Sequence, residues 1–117
     1  MKNYEEMSDF EINKRVALIV GVTFNGDGEP VRFVECDTGA YADFNEIEFD
    51  PCNNPEDAWP IIDENNITII NDHPSMRVAV NDAAGYYNGF SGIIASFDEN
   101  GFRAAMIAFL KMNEDKL

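Results

Sequence analysis

Apolar and polar positions alternate along this chain with periods that change from segment to segment, and the changes mark out its elements. Ile12, Val16, Ile19 and Val20 recur at helical spacing while Glu11, Lys14 and Arg15 between them are polar. Ser8-Asp9-Phe10-Glu11 has the form of a capping box, with Ser at the N-cap and Glu three residues on. This predicts a helix over about 9–19 that stops at Gly21, with the β-branched run at its end allowing an extended chain from Val20. Asn25-Gly26-Asp27-Gly28 has the residues that tight hairpin turns demand, so Val22–Phe24 and Val31–Cys36 are expected to pair as strands. The turn lacks the Lys and the following helix of a phosphate-binding loop.

The stretch 37–45 reads as a loop with short extended pieces. Glu46-Ile47-Glu48-Phe49-Asp50 then alternates strictly, the period of a half-buried strand. Its row of Glu46, Glu48 and Asp50 would face outward and discourage edge-to-edge association. Ile67–Ile70 and Met76–Val80 read as two further strands around a turn-rich 71–75, and Gly92–Phe97 as another after a loop over 81–91. Asp98-Glu99-Asn100-Gly101 is a polar turn, followed by a helix over about 102–112 with Ala105, Met106, Phe109 and Leu110 near one face and a fraying tail.

The segment Asp50–Ile62, DPCNNPEDAWPII, concentrates special local chemistry. Asn53 or Asn54 can cap a helix, Pro55 suits its first position, and Glu56 and Asp57 complement the helix dipole. Pro60 removes a main-chain donor, so the helix is expected to be short or kinked near Trp59 and to end near Glu64. Trp59, the sole tryptophan, is expected to pack into the core against the sheet. The functional alternative is a binding patch of Asn53, Asn54, Asp57 and Trp59, with the indole as anchor and the polar side chains as hydrogen-bonding groups.

Helices at both ends around a strand-rich middle predict an α+β fold: a small, mostly antiparallel sheet packed against an N-terminal, a short central and a C-terminal helix. The strands are too closely spaced for repeated βαβ crossovers. At 117 residues, 45% of them hydrophobic, the chain is expected to form a single domain over 1–117 with a core of its own.

Charge narrows the function. Twenty-two acidic residues against eight basic ones leave −14 at pH 7. Nucleic-acid binding and docking on anionic lipid both need the opposite sign, so neither is expected. Such a balance keeps a protein dispersed, or addresses it to a basic partner. Cys36 and Cys52 lack metal or redox spacing and are expected at or near the core. His73 alone completes no zinc set and is expected in a surface turn, so no metal or cofactor is expected. Acidic clusters follow from so acidic a composition, and none has Ca²⁺-loop spacing. The aromatic run Tyr86-Tyr87-Asn88-Gly89-Phe90 is expected to fold over the core. No apolar run has the length of a signal peptide or a membrane span, which points to the cytoplasm.

Three blocks, YEEMSDFEINKRVA, DPCNNPEDAWPIIDENNITI and FRAAMIAFLKMNE, resemble the NinX family of phage proteins. The resemblance implies a phage or prophage origin and the cytoplasm of a bacterial host. It implies no activity and brings no catalytic or cofactor residues with it. The expectation is a phage accessory protein, monomeric or homodimeric, that binds a host or phage protein with a basic surface and carries out no catalysis. The alternative is a small ligand-binding domain or enzyme with a pocket near Asn53–Trp59.

Overall fold

The computed structural model describes residues 3–37, 42–73 and 76–116, the side chains of 35–37, 42–44, 72–73 and 116 excepted. A 3₁₀ turn over Tyr4–Glu6 leads into α1, Asp9–Val20. Ser8 caps α1 through its hydroxyl, which accepts from the Glu11 N–H at 3.2 Å, and left-handed Gly21 (φ +82°) ends it. Ile12, Asn13, Val16 and Ala17 form its buried stripe.

β1 (Thr23–Phe24), β2 (Pro30–Asp37) and β3 (Ala42–Glu48) form an antiparallel sheet in that order. The Asn25 side chain closes the first hairpin by accepting from the N–H groups of Asp27 and Glu29. β2 and β3 outrun their expected lengths, since much of the expected loop over 37–45 is strand; residues 38–41 lie outside the described residues. β3 ends at Glu48, so Glu46 and Glu48 are exposed while Asp50 is half-buried in the turn beyond.

α2 (Pro55–Glu64) retains Pro60 in its interior. The missing donor faces Glu56, one turn back, and both residues are exposed, so the unbonded carbonyl lies on the solvent side. β4 (Thr68–His73), β5 (Met76–Val80) and β6 (Ala95–Asp98) form a second antiparallel sheet in sequence order, with a register shift between Ile70 and His73. The strand thus takes in part of the expected turn over 71–75; residues 74 and 75, and the side chain of His73, lie outside the described residues. The expected loop over 81–91 contains α3, Ala83–Tyr87, capped by Asp82 on the Gly85 N–H. Its aromatic run turns outward, with Tyr87 and Phe90 exposed.

α4 (Gly101–Met112) lies between the second sheet on one side and α1 and α2 on the other. Every residue from Ala104 to Leu110 is buried, the signature of a helix apolar on all sides rather than along one stripe. Around it gather Tyr4, Ile12, Val16, Phe49, Cys52, Ile61 and Ile62, each contributing roughly 1–3 kcal/mol by leaving water. The fold is therefore α+β, with two small sheets in place of one.

Among the described side chains of the β2–β3 hairpin and the residue that follows it, Val31 and Phe49 at the root are buried, and Phe49 joins this core. The molecule measures 58 × 27 × 24 Å and its radius of gyration is 16.0 Å, against about 13 Å for a compact chain of this length. Seven paired positions at ~3.4 Å each give this hairpin arm a length of ~24 Å.

Candidate functional site

The Asp50–Asn54 turn is the hinge of a polar junction. Asn54 caps α2 by accepting from the Glu56 N–H at 3.1 Å. Asp57, buried, accepts from the Asp50 N–H at 3.0 Å and lies 2.8 Å from Arg32 Nε. Arg32 also reaches Glu56 at 3.0 Å, so this pair fastens the root of the arm to α2.

Asn53 turns the other way. Its amide nitrogen donates to Asp9 and Asp50, and its oxygen accepts from Asn100 at 3.2 Å. Asn13 donates to Asp50 at 2.7 Å and accepts from the Cys52 N–H. Asn100 caps α4 with its oxygen and donates to the Cys52 carbonyl at 2.7 Å.

Arg103 closes the junction. Its guanidinium donates to Asp98, to Asp9 and to the carbonyls of Glu5 and Met7. Burial alone would lower its pKa, but Asp9 and Asp98 outweigh that and raise it, so the charge is secure. Cys52 is sealed beneath, its thiol pKa pushed far up by burial and by the Asp9, Asp50 and Asp98 carboxylates against the opposing pull of Arg103. Cys52 is a core residue as expected, and the side chain of Cys36 lies outside the described residues.

Trp59 departs from its expected burial and is 47% exposed. Ala58, Ile61 and Ile62 already form the core stripe of α2, and a residue one step from Ala58 is turned ~100° away from it. The indole instead meets Phe102 edge to face, ring centres 5.6 Å apart. Beside this pair opens a cleft of about 460 Å³, lined also by Ile69, Asn71, Arg77, Glu99, Asn100 and Gly101. A volume of that order suits a small ligand or one large side chain.

Of the four residues singled out as a binding patch, Trp59 alone lines the cleft. Asn53 stands behind it, bonded to Asn100. Asn54 and Asp57 hold the start of α2 and the root of the arm. The lining residues Phe102, Arg77 and Asn71 were not legible as site residues. Arg77 had one signal, a lone charge in the apolar strand MRVAV.

Among the described residues, no group of three or more His, Cys, Asp or Glu side chains is placed to hold a metal ion. No described helix is long and apolar enough to cross a membrane. The carboxylates of the junction are each held by amide or guanidinium donors, which is the chemistry of a clasp.

The three sequence blocks that resemble phage proteins meet here: α1 with the segment before it, the turn leading into α2, and α4. No curated protein and no solved structure matches the chain. A family described as Bacteriophage P22, NinX matches residues 3–113, nearly the whole chain, and the protein belongs to that family.

Proposed function

We propose that this phage protein works by binding, engaging a basic surface of a host or phage protein in the cytoplasm of the infected bacterium, without catalysis. The β2–β3 arm carries this reading. Between Pro30 and Glu48 it bears Glu35, Asp37, Asp43, Glu46 and Glu48 against one cation, Arg32, which is already paired at the root. β3 is an edge strand, and β1 covers only Pro30 and Val31 of β2. Phe33, cross-strand from Glu46, is 54% exposed and would supply the apolar contact. An acidic hairpin that presents the exposed Phe33 ring suits a basic groove, where charge of opposite sign steers encounter and fixes register.

The test is capture of partners from host lysate by the wild type and by Glu46→Lys/Glu48→Lys at low and high salt. A partner held at low salt, released at high salt and lost by the double variant supports the reading. A partner indifferent to salt and to the charge reversal, or no partner, overturns it.

A second reading, ligand binding beside the Asn53–Trp59 segment, is favoured by the half-exposed Trp59 at the mouth of a cleft.

A further inference from the structure

We propose that the cleft between α2 and the start of α4 binds an aromatic monocarboxylate, its ring against Trp59 and Phe102 and its carboxylate on the Arg77 guanidinium. The inference sharpens the ligand-binding reading and uses no residue of the acidic arm, so the two stand or fall separately.

The first observation is a cation without an ion pair among the described residues. In a chain with eight basic residues and a net charge of −14, Arg32, Arg103 and Lys111 are committed to ion pairs. Arg77 is half-buried, lines the cleft and makes no ion pair among the described residues. Its cross-strand neighbour Asp98 is already taken by Arg103 and by the Asn100 N–H. The Arg77 stem lies against Gly101 at ordinary packing distance, since a Cβ there would stand 3.7 Å from Arg77 Cγ. The guanidinium fork of an arginine that lines a cleft suits the planar, two-oxygen geometry of a carboxylate.

The second observation is the aromatic wall. Trp59, about half exposed, and Phe102 both line the cleft and meet at 85°, so together they offer aromatic surface against which a ring can lie. The third is the rim. Glu99 is exposed at the edge of the same cleft, so a dianion would meet a fixed negative charge as well as the field of the whole protein. A cation would leave Arg77 unmatched. A single negative charge on an aromatic body fits all three features. A free aromatic acid and the C-terminal aromatic residue of a peptide present the same chemistry.

Trp59 is the only tryptophan, so intrinsic fluorescence reads the cleft directly. The probes are N-acetyl-phenylalanine, its neutral amide and phenyl phosphate. The expected result is a saturable change with the carboxylate at a Kd on the order of 1 mM, as befits a ligand of this size. The amide and the dianion should bind about tenfold more weakly. Arg77→Gln should abolish the preference for acid over amide while an unchanged amide–proton NMR spectrum elsewhere shows the fold intact. Should Arg77→Gln not fold, the acid–amide difference on the wild type decides alone.

A hexapeptide ending in Phe with a free carboxyl group, compared with its amidated form, distinguishes the sources. Tighter binding of the free-ended peptide than of N-acetyl-phenylalanine assigns the site to a chain terminus, and equal binding assigns it to a small acid. No saturation by about 10 mM, ten times the expected Kd, or equal binding of acid and amide, overturns the proposal. The Glu46→Lys/Glu48→Lys variant should bind these probes as the wild type does.

Discussion

Arg103→Ala tests whether the polar junction holds the N-terminal segment to the core. The substitution removes four hydrogen bonds: to Asp98 at 3.0 Å, Asp9 at 2.6 Å, the Met7 carbonyl at 2.7 Å and the Glu5 carbonyl at 3.2 Å. Bonds to charged groups contribute about 1.5–3 kcal/mol each and ordinary ones roughly 0.5–1.5. The low ends apply, and the Asp9 bond counts only as an ordinary one, because the Asp9 side chain is 42% exposed and keeps its bond from Asn53. The expected loss is about 3 kcal/mol, a large part of the ~5–15 kcal/mol that holds a domain folded. With an unfolding entropy of ~2.1 cal/mol/K per residue, that lowers Tm by about 12 °C. Urea unfolding followed by far-UV circular dichroism measures the loss. Hydrogen exchange at the Met7 amide, which bonds to the Tyr4 carbonyl, measures local release of the N-terminal turn. Arg103→Lys keeps the charge without the fork and should recover no more than about 1 kcal/mol. A loss under about 1 kcal/mol for Arg103→Ala, with Met7 protection unchanged, would refute the clasp.

Three further outcomes follow from the same geometry. Tyr4 is fully buried, and burial, followed by the Glu114 carboxylate, raises its phenol above the ordinary 10.0. The unfolded chain therefore loses that proton first, so stability is whole below pH 10 and falls as pH rises toward the folded value; in urea titrations Tyr4→Phe should lose less stability than the wild type over that range. In a Cys36→Ser background, Cys52 should resist a thiol reagent at pH 8 and react fully in urea, since its thiol is buried and its pKa raised; rapid labelling of the folded protein would contradict its place in the core. Light scattering should report a monomer at micromolar concentration, because pairing two copies along the β3 edge would set Glu46 and Glu48 of each beside those of the other, and Glu46→Gln/Glu48→Gln should weaken that guard.

Most local signals in the sequence stand in the structure. The Ser8 cap, the Gly21 stop, the Asn25 turn and the Asn54-Pro55 start each depend on residues a few positions apart, and each stands where the sequence puts it. Apart from α3, whose Asp82 cap is itself local, the departures at α4, Asn53 and Trp59 depend on partners far away in the chain. The run AAMIAFL satisfies a one-faced helix as well as a fully enclosed one, and only the arrival of α1 and α2 on the far side of α4 decides between them. Asn53 carries the chemistry of a ligand-binding amide, yet Asp9 and Asn100, more than forty positions away on either side, consume it. Trp59 shows the same limit in reverse. Its size argues for burial, but the core stripe of α2 is already filled by smaller neighbours, and Phe102 meets the ring at the surface instead. A cleft is a meeting of residues from separate elements, here 59, 69, 77 and 102, with no spacing to betray it. What the sequence does hold is the inventory: one tryptophan on a capped helix and one arginine isolated in an apolar strand. The fold brings the two to one cleft and leaves the arginine without an ion-pair partner among the described residues, which is what turns an aromatic surface into a site with a stated charge preference.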